Sequence, residues 1–251
     1  MRSLFWLDDE QWAAIAPFMP KNQPGARRVD DRRVFSGIIR ALKTGCRWVD
    51  CPQEYDPHTT VYNRFNRWSR KRFWTGMLEA LAAAGAVTKS TSIDSTYVKA
   101  QRSAFGGKGG QKAGDRPFAR RANKSKLHIL TDVIGRPFAL QLTPDNVIDV
   151  RAAEVLIGEL GATQYLIADK GYDANLFRKR LRDNKTKPVV SGWSNRKRKI
   201  AYDKVRYGER HLVENAFCRL KDFRRLATRY DKLGRNFLSA AAIAALVFFW
   251  I

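Results

Sequence analysis

The sequence predicts a mixed α/β sheet with helices on both faces, preceded by a small all-helical segment. Three patterns carry this expectation: apolar residues at helical spacing near the N-terminus, short β-like runs from Ser90 onward, and alternating strand-like and helix-like segments after that. An apolar C-terminal stretch adds a closing helix. The expected division is residues 1–85 helical, 86–235 α/β, and 236–251 a terminal helix packing on the α/β part.

"LDDEQW" reads as a helix start, with Asp8 as N-cap and Gln11 completing a capping box, and this helix ends before Pro20. After the basic, turn-rich "KNQPGARRVDD", Val34, Ile38 and Leu42 mark a second helix that stops at Gly45. A third, from His58 to Arg72, places Val61, Phe65 and Trp68 on one stripe and Asn63, Arg67 and Arg70 on another. "TSIDSTYVKA", "KLHILTDVIG" and "RPFALQLTP" read as strands, the last two joined by a turn at Gly135. Next come a helix in "AAEVLIGEL", a buried strand in "YLIADKGY", a helix in "LFRKRLRD", a strand in "KPVVSG", and a helix through "YGERHLVENAFCRLK". The Gly- and Lys-rich "QRSAFGGKGGQKAGDRPFARRANK" reads as a mobile loop, and its glycines lack the spacing of a phosphate-binding loop.

Composition narrows the partners. The 47 Lys+Arg against 24 Asp+Glu in 251 residues give a formal net charge of +23, which calls for a polyanion. Seven Trp, eight Tyr and fourteen Phe are interleaved with the cations, as in "TTVYNRFNRWSRKRFW", and stacking beside cation–π contact favours nucleic acid over a membrane surface. The N-terminus lacks a signal-peptide core, and the tail "LSAAAIAALVFFWI" is short for a membrane span. Three cysteines and three histidines form no disulfide framework and no zinc spacing, so a reducing cytoplasm is expected.

The carboxylates are oddly placed. Asp94 interrupts the run "TSIDSTYV", and Asp169 ends "YLIA" where the chain leaves the sheet. If the two strands are neighbours, these groups meet, and a helix across the sheet could bring Glu214 to the same place. Such a cluster needs cations, and hard oxygen ligands favour two Mg²⁺ or Mn²⁺ ions, which suit phosphodiester chemistry. On a helix of about 100° per residue, Tyr207, Arg210, Glu214 and Lys221 share an arc of about 60°. Leu212, Val213, Ala216, Leu220 and Phe223 form the opposite, apolar side. A solvated face of mixed charges would show the same pattern.

The stretches "SIDSTYVKA" and "LIADKGYDA", with Tyr207, Arg210, Glu214 and Lys221 at their mutual spacings, resemble the DDE transposases of bacterial insertion sequences. The branch is the IS-five family within the IS-four-like group. "TDVIGRPFALQLTP", "RRLATRYDK" and "RVFSGIIRALKTGCRW" extend the resemblance over nearly the whole chain. It implies an RNase H-like catalytic domain with Asp94, Asp169 and Glu214 as the metal triad. Tyr207, Arg210 and Lys221 would handle DNA phosphates near the cut strand, and a helical DNA-binding domain would precede them. It also implies a transposase that binds terminal inverted repeats, cleaves and transfers strands, and assembles as a dimer on transposon-end and target DNA of the nucleoid. One departure is "VVSGWSNRK", where the family pattern would have a proline after the strand.

Two alternatives share parts of the pattern. A nuclease without strand transfer could use the same triad, and a helix-turn-helix regulator would explain the charge and the third helix but not the carboxylates. In the third helix, Asn63, Arg67 and Arg70 could read base edges in a major groove or touch phosphates only. Trp193, beside "NRKRK", could stack on a displaced base or anchor its loop by packing.

Overall fold

The computed structural model describes residues 4–20, 30–85, 89–101, 104, 124–158 and 163–251. The segment expected as a mobile loop between the first two strands lies almost wholly outside the described residues, as does most of "KNQPGARRVDD".

The helical part follows its local signals. Helix α1 (Asp9–Ile15) starts on the expected capping box: Asp8 Oδ1 accepts from the Gln11 N–H at 2.8 Å, and Gln11 Oε1 accepts from the Asp8 N–H at 3.3 Å. Helix α2 (Asp31–Thr44) ends at Gly45, whose φ of 71° is the left-handed cap that glycine allows. Helix α3 (His58–Arg70) stops two residues short of the expected end, because Arg72 turns to φ 55° and the chain enters helix α4 (Phe73–Gly85). The pattern reading did not resolve α4 as a separate helix. Its Ala- and Leu-rich sequence sets apolar residues on exposed and buried sides alike, leaving no stripe to detect.

The expected mixed sheet is present, with five strands in the order β3-β2-β1-β4-β5. Strands β1 (Ser90–Lys99), β2 (Lys124–Thr131) and β3 (Pro137–Pro144) run antiparallel. Gly135, at φ 87°, turns β2 into β3. Helix α5 (Asp149–Gly158) leads to β4 (Tyr165–Ala168), which pairs parallel with β1. Helix α6 (Asn175–Asp183) leads to β5 (Lys187–Val190), parallel to β4. The remaining helices are α7 (Lys204–Gly208), α8 (His211–Lys221), α9 (Arg224–Ala227) and α10 (Gly234–Phe249). This is the RNase H-like arrangement that the resemblance implies.

Strand alternation separates two cores. Ile93 and Leu130 face α5 and α6 with Leu156, Phe177 and Leu181. Val98, Leu127 and Ile129 face α8 with Val213, Ala216 and Leu220. The second core continues through α10 into α2, α3 and α4, so the apolar C-terminal helix lies between the helical segment and the sheet. Ala240 to Leu246 are fully buried there. Among the described residues, no helix is long and apolar enough to cross a membrane.

Candidate active site

Asp94, in β1, and Asp169, immediately after the neighbouring parallel strand β4, stand at the same level. Ser92 is the register partner of Ile167, and each aspartate lies two residues further on. By alternation, Asp94 shares its face of β1 with Thr96 and Val98, the face that α8 covers. Asp94 Oδ1 accepts from the Ser95 N–H at 2.8 Å, and Asp169 Oδ1 accepts from the Gly171 N–H at 2.8 Å. Each carboxylate thus has one oxygen held by its own backbone.

Helix α8 supplies the third carboxylate. Its buried stripe of Val213, Ala216, Phe217 and Leu220 seats it on the sheet, leaving Glu214 half exposed. Arg210, at its N-cap, spans two acids: Nη1 donates to Asp94 Oδ2 at 3.1 Å, and Nη2 donates to Glu214 Oε1. Lys221 Nζ donates to Thr96 Oγ1 at 2.8 Å, two residues beyond Asp94 on the same face of β1.

Tyr207 departs from the single continuous helix expected of this stretch. It belongs to α7, and the backbone between α7 and α8 is tightened by i→i−3 bonds from Glu209, Arg210, Leu212 and Val213. The four residues therefore do not follow one 100° progression. The Tyr207 hydroxyl is 3.1 Å from Ser191 Oγ at the end of β5, and its ring meets Tyr202 edge-on.

Trp193 is 46 % exposed, which removes the buried-anchor expectation. Lys170, immediately after Asp169, sits 5.4 Å over its ring. The Trp193 N–H donates to Asp173 Oδ2 at 3.0 Å, and Asp173 also accepts from Arg178 and Arg196. Burial pushes the Asp173 carboxyl up, but these donors outweigh it and hold the group below the ordinary range. Sequence reasoning missed Asp173, although its place four residues after Asp169 in "ADKGYDA" was a usable signal. Thr96 and Lys170 were missed too, since both look like ordinary strand and loop residues.

Asn63, Arg67 and Arg70 are exposed along α3, while Val61, Phe65 and Trp68 are buried. Their helix packs on α2, α4 and α10, so they form a surface apart from the carboxylates.

The electrostatics couple the carboxylates. Burial pushes Asp94 up to about 6; the Ser95 N–H and Arg210 oppose that shift, and Asp169 and Glu214 reinforce it. Asp94 thus feels the charges of both Asp169 and Glu214, and Arg210 bridges Asp94 and Glu214. Among the described residues, no three His, Cys, Asp or Glu side chains converge closely enough to surround one ion.

The chain matches the family model described as "Transposase DDE domain" over residues 87–249 and the model "Putative transposase of IS4/5 family" over residues 7–78. It is 32% identical over 121 residues to the "Putative transposase for insertion sequence element IS6501" of Brucella ovis, covering 48% of this chain and 93% of that protein. It is 33% identical over 135 residues to the "Putative transposase for insertion sequence element IS402" of Burkholderia cepacia, covering 49% of this chain and 62% of that protein. A solved "piggyBac transposase synaptic complex with hairpin DNA" is similar in fold, with a TM-score of 0.51 and 12% identity over 98% of this chain and 73% of that one.

Proposed function

Because this chain belongs to the transposase DDE-domain family, we propose that Asp94, Asp169 and Glu214 are its metal-binding triad and that it cuts and joins the ends of an insertion element. The observation that carries this is the Arg210 bridge, which ties the β1 and α8 carboxylates together, with Asp169 just past the end of the adjoining strand and acting on Asp94. The three carboxylates would hold one or two Mg²⁺ or Mn²⁺ ions. Bound there, such ions would supply Lewis-acid stabilisation of phosphodiester oxygens and lower the pKa of an attacking water or 3′-hydroxyl.

The chain's own residues would do the rest. Arg210 and Lys221 present cations along the β1 edge of the site, suited to holding the cut strand by its phosphates. Tyr207, fixed to the end of β5, and Trp193, capped by Lys170, would border the strand on the β5 side, with Trp193 free to stack on an unpaired base. Asn63, Arg67 and Arg70 would read or clamp the terminal repeat from a separate helix. The partners would be transposon-end and target DNA, engaged by a dimer on the nucleoid.

The test uses duplex ends and a target plasmid. Asp94→Asn, Asp169→Asn and Glu214→Gln should each nearly abolish nicking in Mg²⁺ while end binding persists. A mutant cutting at the native rate removes that residue from the triad, and cutting without joined products makes the protein a nuclease.

A further inference from the structure

On the face of β1 opposite the triad, one carboxylate touches residues that hold both aspartates. Asp149, the first residue of α5, accepts at Oδ1 from Ser95 Oγ and from Lys126 Nζ, each at 3.1 Å. Lys126 Nζ also donates to the Val147 carbonyl at 3.1 Å, which fixes the entry to α5. Ser95 is the residue whose N–H holds Asp94 Oδ1 at 2.8 Å.

The second link runs through Gly171, whose N–H holds Asp169. A Cβ at Gly171 would lie 2.9 Å from Asp169 Oδ1 and 3.4 Å from Asp149 Oδ2. The two carboxylates therefore crowd the same space, the one a side chain at Gly171 would fill. Gly171 is not among the residues with positive φ, so the need for glycine comes from this close approach and not from backbone strain.

We infer that Asp149 is a positioning residue of the active site: it locks Ser95 on β1 and abuts Gly171 after β4, and so sets the spacing of Asp94 and Asp169. This rests on the reading of those two aspartates as metal ligands. Partners behind ligating groups commonly change metal affinity by about 10–100-fold when removed. A solely structural role, pairing the buried Lys126, would lower stability and leave metal affinity alone.

The experiment measures Mn²⁺ binding to the full chain by electron paramagnetic resonance, alongside thermal melts. Asp169→Asn is the control and should lose tight binding; if it binds as the native chain does, the metal reading itself fails. With that control in place, Asp149→Asn should weaken the Mn²⁺ Kd by about 10-fold or more. Ser95→Ala, which keeps Lys126 paired, should weaken it by about fivefold, the value of one hydrogen bond. A lower melting temperature with Kd unchanged in Asp149→Asn overturns the inference. Where Asp149→Asn does not fold, Ser95→Ala decides alone, and an unchanged Kd in that variant overturns it.

Discussion

Arg210 donates from Nη1 to Asp94 and from Nη2 to Glu214, so the two arms of one guanidinium hold acids carried by different elements. A lysine ammonium keeps the charge but lacks the rigid fork. Arg210→Lys should therefore lose one charge-assisted bond, slowing single-turnover cleavage by roughly 10–100-fold, with end affinity unchanged in a binding titration. Among the described residues, Lys221 reaches only the Thr96 hydroxyl, which leaves it available to a phosphate. Lys221→Ala should reduce the slope of log affinity against log salt by about 1 without altering the preferred sequence. Asp94 and Asp169 could be picked out in the sequence because charge in an apolar strand is conspicuous. Asp149 could not, because an acidic residue opening a helix is what the helix dipole favours anyway.

At the scale of elements, the proposed recognition role of α3 and the seating of α8 can be tested separately. If the exposed face of α3 enters a major groove, Arg67→Ala should cost about 1–3 kcal/mol on the correct end and blur its preference over scrambled DNA. Equal losses on both duplexes, measured by competition binding, would make α3 a phosphate clamp. The β2–β3 turn abuts the start of α8: a Cβ at Gly135 would stand 3.2 Å from Leu212 Cβ, and φ there is 87°. Gly135→Ala should thus destabilise the fold by about 1–3 kcal/mol in urea titrations, and by disturbing α8 it should also slow cleavage. The α8 stripe of Val213, Ala216 and Leu220 was legible from period alone. The break after α7 was not, since the tightened i→i−3 turn at Glu209 and Arg210 leaves residue types unchanged.

Across the whole molecule, charge divides into two populations. Many of the 47 Lys+Arg are exposed and suited to a polyanion, but Arg64, Arg178 and Arg225 are buried and paired with Asp31, Asp173 and Asp231, and Arg229 is buried and donates to Ser125 Oγ and to the Asp231 and Lys232 carbonyls. The fold also buries His128, and burial pushes its pKa down to about 4 from 6.5. The unfolded chain then takes up a proton that the folded chain refuses, so this stability is whole above pH 6.5 and is lost as the pH falls toward 4. Between pH 7.5 and pH 5 the His128 contribution to this loss should be about 2 kcal/mol. It is partly offset because Asp94, raised to about 6, takes up a proton in the folded chain over the same range, so it is read as the difference between the urea midpoints of the native chain and His128→Gln. The sequence by itself determined most of the elements, the oddly charged strand positions and the expectation of a polyanionic partner, because periodicity, capping and net charge are local or summed properties. Only the tertiary structure decided that Arg210 meets Asp94 across 116 residues, that Asp149 stands behind both aspartates, and that α10 runs between the helical segment and the sheet. Those contacts depend on how strands pair and helices pack, and no spacing within a single element encodes them.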